Sequence, residues 1–417
     1  MMQQGNNVAD IAYFYGDEAN ATALFDTQKP PIPPTLSFDY INAEALTQLL
    51  TTDGTTLSTP AGARYRMLAL GGTSDRMALP TLRALHRLVV QGATIVGRRP
   101  MKSTGLATDT TEWARLAHDI WGTQRPNVIA TDSIALSCEA IGLQPDFSCS
   151  TMDSIRFVHR TTPSAEIYWV NNRSLHRVHD TFRFRITGRR PQRWDPVTGQ
   201  VTDLSYSVGT RTTYVEVDMQ PADAFFIVFA DKPHTGLRHQ VPLTAVAATD
   251  TLSTAWAVHF DRQMGTPDSI IMPTLKSYTD PTLTIADSAQ ARAVRYFSGT
   301  ATYRNTFYLT QTDSALRTQI DLGRVCYIAE VWVNGQHCGI SWISPHSIDI
   351  SHAVRPGLNT LEIRITNPWK NRLVGDRLAR PGDPTYTWTS YPWNQKTRNT
   401  LLPAGLLGPV SISRIYK

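Results

Sequence analysis

The sequence has few cysteines and no long apolar run, and these absences exclude whole classes of protein. Four cysteines in 417 residues are too few for a disulfide scaffold. No stretch approaches the roughly twenty apolar residues of a membrane span, and the N-terminus lacks the basic and apolar parts of a signal peptide. What remains is a globular chain, whose 41% hydrophobic content supplies the cores of roughly two to four domains.

The chain also lacks a dense basic run, an internal repeat and a low-complexity tract. Its formal charge of +5 and pI near 9.0 come from a modest excess of Arg and Lys spread over all regions. Nucleic acid binding would require clustered cations that neutralise phosphates. We therefore expect no nucleic acid partner.

Two of the cysteines lie near each other in sequence but are not predicted to pair. A two-residue turn at Asn334-Gly335 would place Val331 opposite Cys338. Cys326 would then lie about five residues further along its strand, on the order of 17 Å away. Because a disulfide cannot bridge that distance, we expect free thiols.

The first region, residues 1–150, alternates apolar strands with helical stretches. Leucines at helical spacing from Leu79 to Leu88 predict a helix, with Pro80 suited to its first turn and Gly92 to its end. The alternation predicts a parallel sheet covered by helices, of the flavodoxin-like or amidotransferase-like α/β class. The strand candidates are Val8 to Tyr15, Tyr65 to Leu70, Ala93 to Val96 and Asn127 to Ala130.

The later regions show the two-residue period of strands. Residues 151–240 contain several such stretches and a turn at Trp194 to Gly199, which predicts a small antiparallel β-sandwich. Residues 241–417 predict a jelly roll, with one strand from Val325 to Val333 and another around Leu361 to Ile365. The predicted fold class is therefore multidomain, α/β followed by all-β.

The sequence offers acids for glycoside hydrolysis, which usually needs two carboxyl groups flanking the glycosidic oxygen. Glu330 and Glu362 lie in the polar phase of strands, where a solvated strand face is favoured over a catalytic role. Asp17 and Glu18 follow the first strand, at an edge where open parallel sheets bind ligands. A role at a helix start is favoured for them over catalysis.

Three further patterns suggest chemistry but favour ordinary explanations. Gly71-Gly72-Thr73-Ser74 follows a strand but lacks the spacing of a nucleotide-binding fingerprint. Cys138 could be a nucleophile, as in amidotransferases, but its neighbours predict a plain helix and a buried free thiol. The histidines show no metal-ligand grouping, so no metal site is expected.

Aromatic residues crowd into the last quarter of the chain, where flat rings can stack on sugar faces or pack in loops. Trp332, held in a strand, is predicted to pack. The candidate carbohydrate-binding residues are Trp342, Trp388, Tyr391 and Trp393, while no residue is assigned a catalytic role.

Six runs, taken in order and with their spacings, resemble the C-terminal half of glycoside hydrolase family 106, the α-L-rhamnosidases. The likeness covers nearly the whole chain. The runs are Val8 to Gly16, Gln91 to Gly97, Trp194 to Gly199, Tyr296 to Tyr303, Ala329 to Gly335 and Gly405 to Val410.

The resemblance implies an amidotransferase-like α/β domain, a β-sandwich and a galactose-binding-like domain. It also implies that the catalytic carboxylates and a calcium site belong to a preceding barrel, so that no cofactor is expected here. A strand pattern begins almost directly after Met1, which leaves no room for that barrel. We therefore expect an accessory part that is inactive alone.

Partners and location are likewise expected from the resemblance. The partners would be the barrel and a rhamnose-containing, pectic carbohydrate, and the location would be the periplasm or cell exterior. A stand-alone carbohydrate-binding protein and an unrelated enzyme using Cys138 or Asp17 stay open as alternatives.

Overall fold

A computed structural model describes residues 1–18, 30–105, 108–230, 238–239, 246–260, 264–311, 315–389 and 398–416. The chain divides into two compact units, Met1–Val241 and Pro242–Lys417. Each unit has its own buried clusters of apolar side chains. The three predicted domain boundaries stay a prediction.

The first unit contains the predicted parallel sheet. Its five strands are, in spatial order, Phe38–Ile41, Ile11–Phe14, Met67–Leu70, Ile95–Val96 and Val128–Ile129. Its helices, within the described residues, are α1 (Leu79–Val90), α2 (Thr110–Trp121) and α3 (Ile134–Ala140), with a short π-helix at Ala45–Leu49. A small sheet joins Thr51–Thr52, Leu57–Ser58 and Arg64–Tyr65. The likeness to flavodoxin or amidotransferase folds stays a prediction.

Helix α1 follows from its sequence pattern. Leu82, Leu85 and Leu88 are all fully buried because their spacing places them on one face. Pro80 occupies the first turn, where its missing N–H costs nothing. Gly92, with φ of +100°, ends this segment in a conformation that disfavours other residues.

The same unit contains the predicted antiparallel sandwich, formed by two sheets. One has the strands Asn6–Asn7, Ile155–Thr161, Ala165–Asn172, Ala224–Ala230, Arg190–Trp194 and Val201–Asp203 in spatial order. The other has Phe147–Ser148, Val178–Phe184, Thr213–Met219, Tyr206–Val208 and Arg238–His239. Phe182, Phe184 and Phe229 are fully buried in its core, as the alternating pattern predicts.

In the part of the second unit that the structure describes, antiparallel strands are accompanied by two short α-helices, α4 (Ser288–Arg295) and α5 (Lys370–Arg377). A six-stranded sheet runs in the order Ser269–Met272, Trp256–His259, Gly299–Leu309, Gly357–Asn367, Ile328–Val333 and Gln336–Ser341. A four-stranded sheet contains Val246–Thr251, Ser411–Tyr416, Leu316–Asp321 and Ser347–Asp349, and a third pairs Arg324–Cys326 with Gly405–Gly408.

Two sequence predictions about the second unit are wrong in detail. The single strand expected from Val325 to Val333 is broken between Cys326 and Ile328, and its two parts join different sheets. A β-bulge between Val331 and Trp332 places Val331 opposite Gly339 instead of Cys338. The thiols of Cys326 and Cys338 are nevertheless free, as expected.

Across the described residues, no helix is both long and apolar enough to cross a membrane.

Candidate functional site

A cleft with a volume of about 850 Å³ lies on the outer face of the six-stranded sheet of the second unit. Polar and charged side chains share this cleft with one large aromatic ring, Trp332. The lining residues are Thr254, Ala255, Ala257, Ile271, Arg304, Asn305, Thr306, Trp332, Gly335, Thr360, Leu361, Glu362 and Arg364. A few convergent polar groups in a cleft of this size are typical of a ligand site.

Strand register builds the centre of the cleft. Arg304 pairs with Ala257 on one side and Glu362 on the other, and Glu362 pairs with Trp332 on the next strand. These positions therefore form one row across four strands. Most of their chain neighbours, among them Tyr303, Val331 and Ile363, are buried, so the row faces outward.

Glu362 is held between two arginines. Arg304 Nε donates to Glu362 Oε2 at 3.1 Å, and Arg364 Nε donates to Oε1 at 2.9 Å. Burial raises the pKa of this carboxyl, but the hydrogen bonds and charges of Arg364 and Arg304 outweigh that effect and hold the pKa below its usual value. Glu362 is therefore an ionised acceptor and is poorly suited to be a general acid.

Trp332 lies half-buried in the cleft instead of packing in the core. The Arg364 guanidinium carbon lies 4.2 Å from its ring centroid, and the His337 ring centroid is 5.0 Å away. The arginine fixes the indole orientation through a cation–π contact. The indole of Trp332 therefore contacts charged and polar neighbours on the sheet surface and not the apolar core.

Hydroxyl and amide groups form one edge of the cleft. Thr306 and Thr360 are cross-strand partners, and Thr254 Oγ1 donates to Asn305 Oδ1 at 2.7 Å. Together with the charged row, these groups offer donors and acceptors to a ligand rich in hydroxyls.

Of the aromatic candidates named from sequence, Trp342 and Trp388 do not line this cleft. Trp388 is 87% exposed and Trp342 is 58% exposed. Tyr391 and Trp393 lie outside the described residues. Their role in sugar binding stays a prediction.

The structure gives the acids near the first strand a structural role. Asp17 Oδ2 accepts from the Ala78 N–H at 2.8 Å, and Oδ1 accepts from Thr81 Oγ1 at 2.6 Å, both at the start of helix α1. A carboxylate at this position is favoured by the helix dipole. Glu18 lies 3.8 Å from Arg76. Asp17 therefore acts at a helix start, although the helix is distant in sequence.

The glycine run is packed too tightly to hold a phosphate. Thr73 N donates to Tyr15 O at 3.2 Å, and Ser74 N donates to Gly71 O at 3.1 Å, which uses these two N–H groups internally. A Cβ on Gly71 would lie 1.8 Å from the Tyr13 hydroxyl. The glycines permit this close approach of two strand ends.

Cys138 lies in helix α3 and is buried, as predicted. Burial, with a smaller contribution from Asp10, raises the pKa of its thiol to about 11. A catalytic nucleophile needs the opposite shift. In the described part of the chain, no cluster of three or more His, Cys, Asp or Glu side chains could hold a metal ion.

Comparisons with known proteins connect both units to glycoside hydrolases. Residues 1–208 match the family model described as alpha-L-rhamnosidase, and residues 273–401 match the model described as glycosyl hydrolase 2 galactose-binding domain-like. A solved rhamnosidase from Novosphingobium sp. PP1Y is 38% identical with a TM-score of 0.81, and the match covers 99% of this chain and 39% of that one.

A curated protein of Formosa agariphila, named putative beta-glucuronidase, is 31% identical over 240 residues. That match covers 55% of this chain and 20% of the relative. The chain thus spans 39% of the rhamnosidase and a smaller share of the curated relative.

Proposed function

We propose that this chain has an accessory, carbohydrate-associated role in a rhamnosidase-like hydrolase. Over residues 1–208 the chain belongs to glycoside hydrolase family 106. The supporting observation is the match to the rhamnosidase, which extends over 99% of this chain but 39% of that enzyme. On this proposal the catalytic carboxylates belong to a barrel outside these residues, and the barrel is the partner of this chain.

The roles of the best acid candidates support a non-catalytic chain. Hydrolysis needs one protonated and one ionised carboxyl group on either side of the scissile bond. Glu362 is kept ionised by two arginines, and both carboxylate oxygens of Asp17 are engaged at a helix start. Neither acid is free to exchange a proton with a sugar, so we expect the chain to be inactive alone.

We place the carbohydrate contact at the Trp332 cleft. An indole can contact the apolar face of a sugar ring, while Glu362 accepts hydrogen bonds from hydroxyl groups and Thr306 and Thr360 donate or accept them. The expected ligand is a rhamnose-containing glycan of the pectic type, met in the periplasm or outside the cell.

Calorimetric titration of the purified chain with rhamnogalacturonan oligosaccharides tests this site. We expect binding by the unchanged chain and a loss of about tenfold in affinity for Trp332→Ala, because a ring contact is worth about 0.5–1.5 kcal/mol beyond its buried area. Trp332→Phe should retain most of the affinity because it keeps an aromatic face.

Trp388→Ala is the matched comparison, because it removes the same side chain from an exposed position outside the cleft. If Trp388→Ala lowers the affinity and Trp332→Ala does not, the sugar binds at the exposed loop aromatics and not at the cleft. Failure of the unchanged chain to bind any glycan would contradict the carbohydrate role. Thermal unfolding of each variant identifies losses that come from misfolding.

A further inference from the structure

A second pocket, in the first unit, is lined by four arginines. Its volume is about 670 Å³, and it lies between the loop after helix α3 and the sandwich sheet that contains Val178–Phe184. No carboxylate is among its lining residues, which are Arg66, Gly142, Leu143, Gln144, Pro145, Ser148, Arg183, Phe184, Arg185, Arg211, Thr212 and Tyr214.

The positive charge of Arg185 is compensated by nearby carboxylates, and its hydrogen bonds connect the two sides of the pocket. Its Nη2 donates to both carboxylate oxygens of Asp10, at 3.1 and 2.8 Å, and lies 3.6 Å from Asp146. Its Nη1 donates to Gln144 O at 3.0 Å, which ties the loop to the sheet. These bonds fix one wall of the pocket.

The other three arginines have no such partner. Within the described ranges, no carboxylate oxygen lies within 4.0 Å of a guanidinium nitrogen of Arg66, Arg183 or Arg211. Arg66 interacts with Asp10 by charge alone, without an ion pair. Positive charges that face one pocket repel each other and favour an anion between them. Each guanidinium presents a planar set of donors that fits a carboxylate or sulfate group.

Strand register places an aromatic ring and a hydroxyl beside these charges. Arg183 pairs with Ser148 on one neighbouring strand and with Tyr214 on the other. The Arg183 guanidinium carbon lies 6.0 Å from the Tyr214 ring centroid. The half-buried ring offers a surface for a sugar ring, and the serine hydroxyl offers a donor beside the anion.

We propose that this pocket binds an acidic saccharide, with its carboxylate or sulfate group held by Arg66, Arg183 and Arg211 and its ring against Tyr214. The site is separate from the Trp332 cleft and goes beyond the accessory role proposed above. It would give this part of the molecule a preference for charged segments of a glycan.

The test is calorimetric titration of the full chain with a galacturonate oligosaccharide, a sulfated oligosaccharide and a neutral oligosaccharide of equal length. We expect binding of an acidic ligand, weaker binding as salt is added, and no binding of the neutral one at this pocket. Arg183→Gln combined with Arg211→Gln should reduce the affinity at least about tenfold, because both substitutions remove charge-assisted hydrogen bonds to the anion. The preferred ligand distinguishes a carboxylate site from a sulfate site.

Arg99→Gln is the control, since it removes an exposed charge of the same unit outside the pocket. An equal loss with the control and the double variant would mean that only overall charge matters, and the proposal would fail. It would fail equally if neither acidic oligosaccharide bound. Trp332→Ala should leave this binding unchanged, so the result is independent of the cleft.

Discussion

For a single residue, the surroundings of the side chain determine whether it can be reactive. Cys138 is of a residue type that can act as a nucleophile, yet its thiol is buried, and burial raises the pKa of that thiol to about 11. Sequence alone predicts the burial, because the neighbouring residues favour a helix. It does not reveal the contribution of Asp10, which lies more than a hundred positions away in the chain.

The environment of Cys138 leads to a labelling prediction. In the native protein at pH about 8, iodoacetamide should modify Cys138 more slowly than Cys149 and Cys338, which are less buried. The reason is that iodoacetamide reacts with the thiolate, and burial of Cys138 disfavours that form. Mass spectrometry of digested samples measures the order. If Cys138 were labelled fastest, this prediction would be wrong and a nucleophilic role of Cys138 would be supported. In denaturant, the difference should disappear.

Trp332 shows the limit of residue-level prediction. Its position in a strand is evident from the sequence, and its alternation with the buried Val331 and Val333 places it on the outer face of the sheet. The neighbours that define the cleft, Arg304 and Glu362, come from separate strands. Their alignment requires strand register, which apolar alternation does not fix when strands lie far apart in sequence.

At the scale of elements, periodicity predicts helix α1 well because its apolar face is continuous. It fails between Val325 and Val333, where apolar and polar residues continue the alternation across a break. The chain passes from one sheet to another at Tyr327, and no local propensity distinguishes that change from a longer strand.

Helix α1 should depend on a residue outside it. Asp17→Asn removes the charge that accepts hydrogen bonds from Ala78 N and Thr81 Oγ1, so we expect the free energy of unfolding of the first unit to fall by about 1 kcal/mol. Urea denaturation followed by circular dichroism measures the change.

Glu18→Gln is the comparison for Asp17→Asn, since Glu18 has only a 3.8 Å exposed ion pair with Arg76. It should cost less than the Asp17 change. Equal losses from the two substitutions would show that general charge, instead of the helix start, explains the effect.

At the scale of the whole molecule, a buried charge network lies within the first unit. His159 Nδ1 contacts Asp146 Oδ2 at 2.9 Å, and Nε2 contacts Glu166 Oε2 at 3.0 Å. Burial lowers the pKa of His159, but the hydrogen bonds to Asp146 and Glu166 outweigh it and raise the pKa above 6.5. Tyr168 stacks on the imidazole, with ring centroids 3.8 Å apart.

The network makes the stability of the first unit pH-dependent. The folded state binds the His159 proton more tightly than the unfolded state, whose pKa is near 6.5. The stabilisation is therefore complete below that pH and is lost as the pH rises through the folded pKa. The difference in unfolding free energy between the unchanged chain and His159→Gln should shrink as the pH rises above about 6.5.

Urea unfolding of both proteins over a series of pH values measures this difference. A difference that is constant with pH would contradict it. Should His159→Gln fail to fold, an NMR titration of the His159 ring in the unchanged chain gives the answer, because its pKa must exceed that of a histidine in the unfolded state.

The glycoside hydrolase family could be predicted from the sequence because the six matching runs lie in both units. The two pockets could not be predicted. Each depends on side chains brought together by register or by a loop meeting a sheet, and residues such as Arg183 and Arg304 have no distinctive local pattern.

The most direct test of the account is the release of rhamnose from 4-nitrophenyl α-L-rhamnopyranoside by the purified chain. We expect no release above the uncatalysed rate, since neither Glu362 nor Asp17 is placed to exchange a proton with a sugar. Rhamnose release that disappears when a carboxylate within this chain is replaced would contradict it.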